Sequence, residues 1–439
     1  MSWILLATLV MVAPAGATSF VAVSDDDLVS AATLIVSGEV VARRSCLRGD
    51  APCTDVEIRV DRVLKGAPLE EPLIVRLPGG ERNDGLSLHV FGAPRLAAGE
   101  RVLLFLAAGD SERWNLLHLA LGTFHERWVE GERAWVRDLG EMAEVRTAPR
   151  RDLERGPRQA DAFVDWIVAR VGGIETTADY LLPPSAELER EKGPRSHSAA
   201  FTLFENGGLN LRWPVFDSQQ VVSWRVHLDG QPGLTLAQTT DAVAIAAAAW
   251  SQPPSIVRYA LDATATTTAT GGLTTFDGVN GFVFGDPNDN PGFGAEYDCV
   301  AGGVLAIGGP WISTDTHVVD GQEFRTIAGA DVVTNVGIEC YLTNSAIPRR
   351  MAEQLFAHEL GHTLGIGHSC GDSGSGPCDT PLVVGALMRA VLHPDLRGAR
   401  LNDDDSAACL ALYGQPCLSP TFSDGFESGN TSAWSAAVP

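Results

Sequence analysis

Lysine is nearly missing from this 439-residue chain: Lys65 and Lys192 are its only two, and every other basic residue is arginine, which we read as codon bias. Basic residues as a whole are scarce, 32 against 55 acidic ones, for a formal net charge of -23. An acidic surface repels polyanions, which argues against nucleic acid or anionic membrane as partners. No C-x-x-C pair occurs, so a cysteine zinc cluster is not expected. Beyond Ala13 no apolar run approaches about eighteen residues, so no transmembrane helix is expected. A hydrophobic content of 45% with 20% charge excludes a disordered chain.

The eight cysteines are even in number and fall as close neighbours, a pattern of four disulfides in an oxidising compartment. Of roughly a hundred possible connectivities, the simplest is sequential: Cys46–Cys53, Cys299–Cys340, Cys370–Cys378 and Cys409–Cys417. The apolar run Trp3–Ala13 followed by Ala15-Gly16-Ala17 reads as a secretory signal peptide over 1–17. Together these place the protein outside the cell.

Residues 18–148 read as short strands separated by glycine and proline turns, for example 34–41, 56–60, 73–77 and 101–106. That pattern predicts a β-barrel or sandwich-like domain, similar to small modules of secreted bacterial proteins. His89, His118 and His125 are scattered through it as ordinary strand residues. Within 149–200, Pro157 opens an amphipathic helix with Ala160, Phe163, Val164, Ile167, Val168 and Val171 on one face, and a linker rich in Pro, Ser, Glu and Arg follows.

A second domain spans 201–416 and is mixed α/β. Strands are expected at 224–228, 256–261, 282–284, 304–307 and 331–334. One helix carries Val243, Ala246, Ala247 and Trp250, with Thr239 or Thr240 as N-cap. Another follows Asn402, with Asp403, Asp404 and Asp405 in its first turn. Residues 417–439 form a C-terminal tail. The whole is multidomain α+β.

The chemistry lies in His358-Glu359-Leu360-Gly361-His362-Thr363-Leu364-Gly365-Ile366-Gly367-His368. The preceding 351–357 are strong helix formers, so His358 and His362 share one helix face a turn apart and can bind one metal ion. Gly365 suits a helix C-terminal turn that brings in His368. Three neutral protein ligands leave a position open for water, the mark of a catalytic zinc site, and Glu359 is the natural base. H-E-x-x-H alone arises by chance in about one chain in a hundred, and requiring Gly365 and His368 lowers this by roughly three orders of magnitude.

These residues give the chain a resemblance to metzincin zinc endopeptidases, closest to the matrixin branch. Ser369 is the matrixin-type residue after the third histidine, and Ala386-Leu387-Met388 resembles the Met-turn. Leu401-Asn402-Asp403-Asp404 with Leu412-Tyr413-Gly414 resembles the C-terminal helix. Arg212-Trp213-Pro214 fits the opening strand more loosely. The likeness covers about 201–414 and is specific from 352 onward. It implies a twisted mixed sheet with three helices, zinc on His358, His362 and His368, Glu359 as general base, and Met388 beneath the metal. Calcium often stabilises the family; Asp286, Asn288, Asp289 and Asn290 could supply its ligands, or form a solvated turn. Matrixins carry a propeptide cysteine that ligates zinc, but no cysteine lies between Cys53 and Cys299. A cysteine switch is therefore not expected. The 370–378 insertion stands where substrate could pass, and His317 and His393 could line the cleft.

The expected function is a secreted zinc-dependent endopeptidase acting on protein or peptide substrates. Alternatively the β domain binds a surface or matrix and the zinc fold is a scaffold. A third possibility is that the N-terminal domain regulates the protease sterically.

Overall fold

The computed structural model describes residues 18–67, 72–109, 113–139, 142–145, 156–183, 201–252, 256–288, 293–372 and 374–414. The expected signal peptide, most of the linker and the tail fall outside them. The described residues form a mixed α+β structure, mostly strands, with two sheets and seven α-helices. None of these helices is long and apolar enough to cross a membrane.

The apolar run after Gly99 becomes the strand Arg101–Ala108, buried on both faces. Because successive side chains point to opposite faces, Val102, Leu104 and Leu106 enter one core while Leu103 and Phe105 enter another. This strand pairs with Leu34–Arg48, which pairs in turn with Ala51–Lys65 and then Leu73–Pro78. Trp114–Leu116 bonds both Leu73–Pro78 and Arg101–Ala108, closing five strands into a ring around Val36, Val56, Ile58 and Val75. Closure removes the free edges that a small sheet would otherwise expose.

The helix Ala160–Val171 packs outside this ring, with Phe163, Val164 and Ile167 buried as expected. Val168 and Val171 are exposed, whereas Trp166 is buried, so the apolar face is turned from the expected one. Phe163, Trp166 and Ile167 keep helical i, i+3, i+4 spacing, and the stacked rings of Phe163 and Trp166 hold that rotation.

In the second sheet, Tyr259–Thr267, Val222–His227, Asn280–Val283 and Gln322–Thr334 are parallel neighbours. Gly303–Val319 lies antiparallel beside Gln322–Thr334. The first of these strands begins three residues later than the expected 256–261, those expected at 224–228 and 282–284 begin two residues earlier, and those expected at 304–307 and 331–334 lie inside the much longer Gly303–Val319 and Gln322–Thr334. The sheet then continues with strands from the N-terminal region: Leu86–Leu88 on Trp311–Ser313, and Thr18–Val21 on Gly303–Ile307. Met142–Val145, Val391–Leu392 and the short strands Gly80–Glu81, Glu205–Asn206 and Leu209–Arg212 complete it. One twelve-stranded sheet thus draws strands from both sides of the 149–200 segment.

Helices Leu236–Trp250 and Pro348–Thr363 pack together over the parallel strands, and Trp250 Nε1 donates to the Ala357 carbonyl at 2.8 Å. The N-cap of the first is Thr235, not Thr239 or Thr240. Its hydroxyl accepts from Gln238 N, and the Gln238 side chain bonds back in a capping box. Thr239 instead bonds inward to Thr235 O and Gln231 N. Asn402 caps Asp403–Tyr413 as expected, and Gly414 ends it with φ +64°. Two short helices, Glu339–Thr343 and Pro381–Gly385, join the three expected in this region.

Candidate active site

The motif helix starts with Pro348, whose missing N–H costs nothing in the first turn. It ends at Thr363, and Gly365 adopts φ +90°. Gly365 N donates to His362 O and Ile366 N to Gly361 O, the paired bonds of a left-handed helix terminus. A Cβ on Gly365 would stand 2.6 Å from Leu211 O, so only glycine fits. The chain then runs back beside residues 202–204, through Phe204 N to Gly365 O and Gly367 N to Thr202 O. This return carries His368 to the other two histidines.

His358, His362 and His368 are fully buried. His362 Nε2 and His368 Nε2 lie 2.9 and 3.3 Å from His358 Nε2. Each Nδ1 faces an acceptor: Leu387 O at 3.0 Å, Ile366 O at 2.9 Å and Asp372 Oδ2 at 2.5 Å respectively. With the proton held on Nδ1, three bare Nε2 lone pairs point at one place. Their mutual repulsion in a dry interior is relieved by a cation, and tetrahedral zinc at about 2.0–2.1 Å from each nitrogen accepts that set. Burial pushes His358 down to about 3 and His362 well below its ordinary value, which keeps both rings neutral as ligands.

Glu359, on the next position of the helix, turns toward Gly303–Val319. Its Oε2 accepts from Gly308 N at 2.7 Å, and its Oε1 accepts from Ser19 Oγ at 2.5 Å. Burial raises its carboxyl to about 8 against the pull of those two bonds and of the Ser19 backbone N–H. Gly308 is needed for this approach, since a Cβ there would stand 2.6 Å from Glu359 O.

Met388 is fully buried under the same helix, and Gly361 is what admits it. A Cβ on Gly361 would come within 2.4 Å of Met388 Sδ and 2.6 Å of Trp250 Cζ2. Asp405 holds the turn from below, accepting from Leu387 N and Met388 N at 2.9 Å each. The first-turn acids of the last helix read as dipole partners in sequence; Asp405 proves to be a support for the turn that faces His358.

Asp372 was also missed, although a carboxylate four residues beyond the third histidine is a readable signal. It lies in the loop closed by Cys370–Cys378, where Ser375 N and Oγ both donate to its other oxygen. The loop packs beneath His368 with Cys370, Asp372 and Ser375 buried. Histidine ligands depend on such outer partners, so Asp372→Asn is expected to weaken zinc binding about 10–100-fold. Competition with a chromophoric chelator measures this, and unchanged affinity would remove Asp372 from the site.

Cys46–Cys53 and Cys299–Cys340 also form as expected, while Cys417 of the fourth pair lies outside the described residues. Of the calcium candidates, Asp289 and Asn290 lie outside them as well. Asn288 Nδ2 donates to Thr270 O, and Asp286 N to Thr334 O. Among the described residues the only clusters of three metal-ligating His, Cys, Asp or Glu side chains are the histidine triad and Cys46, Cys53 and Asp55, whose cysteines are bonded to each other. His393 binds Ala386 O at 2.8 Å, bracing the Met388 turn, and His317 bonds Thr326 on the neighbouring strand. Comparison with protein-family models, with curated proteins and with solved structures finds nothing that matches this chain.

Proposed function

We propose that the protein is a zinc-dependent endopeptidase of the metzincin type, closest to matrixins, secreted from its cell and acting on extended protein or peptide segments. The observation that carries this reading is the convergence of three Nε2 atoms beside a buried glutamate on one helix. Four parallel strands with an antiparallel strand at the glutamate side, and a methionine turn under the histidines, support the family assignment. His358, His362 and His368 would hold the metal, which when bound supplies Lewis acidity toward water and a carbonyl oxygen.

The chain's own residues do the rest. Glu359 takes a proton from the attacking water and returns it to the leaving amine. Gly308 N–H keeps its carboxylate aimed at the site. Backbone amides and carbonyls of 303–307 pair with an extended peptide in the manner of an added strand, orienting the scissile bond.

The test is hydrolysis of a proteome-derived peptide library followed by mass spectrometry, with and without 1,10-phenanthroline. Because Thr18–Val21 lies against Glu359 through Ser19, both the full chain and a Ser19→Pro variant are assayed. The expected result is one zinc per chain and cleavage that the chelator abolishes and added zinc restores. Zinc-loaded protein that cuts no peptide in either form refutes the reading and favours the scaffold alternative.

A further inference from the structure

The three histidines and Glu359 have no solvent-accessible surface to speak of, each being fully buried. A peptide cannot reach them in this arrangement. A strand of the same chain, Thr18–Val21, buried at every position, lies against Glu359 through Ser19, and Phe91, whose carbonyl accepts from Thr18 Oγ1, stacks with Phe204 beside His362. It runs antiparallel along Gly303–Val319, with Thr18 opposite Ile307, Ser19 opposite Ala306, Phe20 opposite Val304 and Val21 opposite Gly303. On its other side lies Met142–Val145, which in turn pairs with Val391–Leu392 just beyond the Met388 turn. Two N-terminal strands therefore fill the gap between the strand on the glutamate side and the strand on the methionine side.

The fit is specific. Ser19 Oγ donates to Glu359 Oε1 at 2.5 Å, occupying an oxygen that must accept a proton from water. Thr18 Oγ1 bonds Phe91 O, and Phe20 enters the shared core with Val304 and Ile307. Gly302 is required by the approach, because a Cβ there would stand 2.7 Å from both Val21 O and Ala22 O. The strand is also tethered: Asp25, four residues beyond Val21, is locked to Arg158 and Arg137.

We propose that Thr18–Val21 is a built-in occupant of the substrate-strand position, so that the folded chain is latent and is switched on when this strand leaves. The proposal rests on the endopeptidase reading above. It supplies latency without a cysteine: backbone pairing excludes the peptide and Ser19 caps the catalytic base. Strand addition to an exposed edge is a general recognition mode, and here the added strand is intramolecular, so it competes at high effective concentration.

Ser19→Pro removes both the hydroxyl and the backbone N–H that bond the Glu359 carboxylate, and Phe20→Gly, a second variant, removes the side-chain anchor instead. Hydrogen exchange of amides 303–307 reports whether the strand has left, and the absorption spectrum of the cobalt-substituted histidine site reports that the centre is folded. The expected result is faster exchange at 303–307 with at least a ten-fold higher rate of peptide cleavage than the full chain. A synthetic peptide of residues 18–23 added in trans should then inhibit the variant. Equal, measurable rates for full chain and strand-released variant overturn the proposal and leave the endopeptidase standing. Released variants that bind metal yet cleave nothing overturn both.

Discussion

Glu359→Gln is expected to lower kcat about 10²–10⁴-fold, the usual contribution of a positioned general base, while zinc content and KM stay near their unsubstituted values. The comparison belongs in the Ser19→Pro background, where the site is open. Glutamine keeps an oxygen for Gly308 N–H, so the 2.7 Å bond and the strand position survive. What it lacks is a site for the proton. Glu359→Ala removes the base and also orphans the buried Gly308 N–H, which adds a stability loss of about 1–3 kcal/mol. The two variants thus separate chemistry from packing: both should be inactive, and only alanine should melt earlier. Stopped-time peptide hydrolysis with zinc analysis on the same samples checks this. A glutamine variant at full rate would remove Glu359 from the mechanism.

The histidine triad was legible because helix geometry is local. Four-residue spacing fixes His358 and His362 on one face, and a glycine at 365 has few roles other than ending the helix. Asn402, with acids after it and Gly414 beyond, was legible for the same reason. The alternating runs in 34–106 showed strands, yet not that Leu103 and Phe105 face away from the ring into the cluster that also holds Val304 and Ile307, since partners two hundred residues away leave no local trace. The same holds for Thr18–Val21. Four residues after the expected cleavage site give no sign of their partner, and only the glycine at 302, which carries no side chain to read, marks the place that receives them. Asp405 and Asp372 were visible as acids in plausible places; their roles depend on backbone atoms brought near by the fold.

Asp25→Ala is expected to destabilise the protein by about 3–5 kcal/mol, the cost of breaking a buried ion pair by removing one partner. Asp25 has no exposure, and Arg158 is only 2% exposed. The carboxylate takes Arg158 Nε at 3.0 Å and Nη2 at 2.9 Å, Arg137 Nη2 at 2.6 Å and Tyr180 OH at 3.0 Å. Truncation takes the shared carboxylate from two guanidinium groups, which keep the carbonyls of Gly156 and Val23 and the face of Phe124, the last worth about 0.5–2 kcal/mol. Urea unfolding measures the loss, and a value under about 1 kcal/mol, typical of an exposed pair, would show the cluster to be inert. Adding Arg158→Met to Asp25→Ala should recover part of the loss, because one of the two uncompensated charges is then gone. The variant also tests the tether. If Asp25 holds the N-terminal strand in place, exchange at 303–307 rises together with the fall in stability, and the double variant recovers part of the stability without restoring the protection.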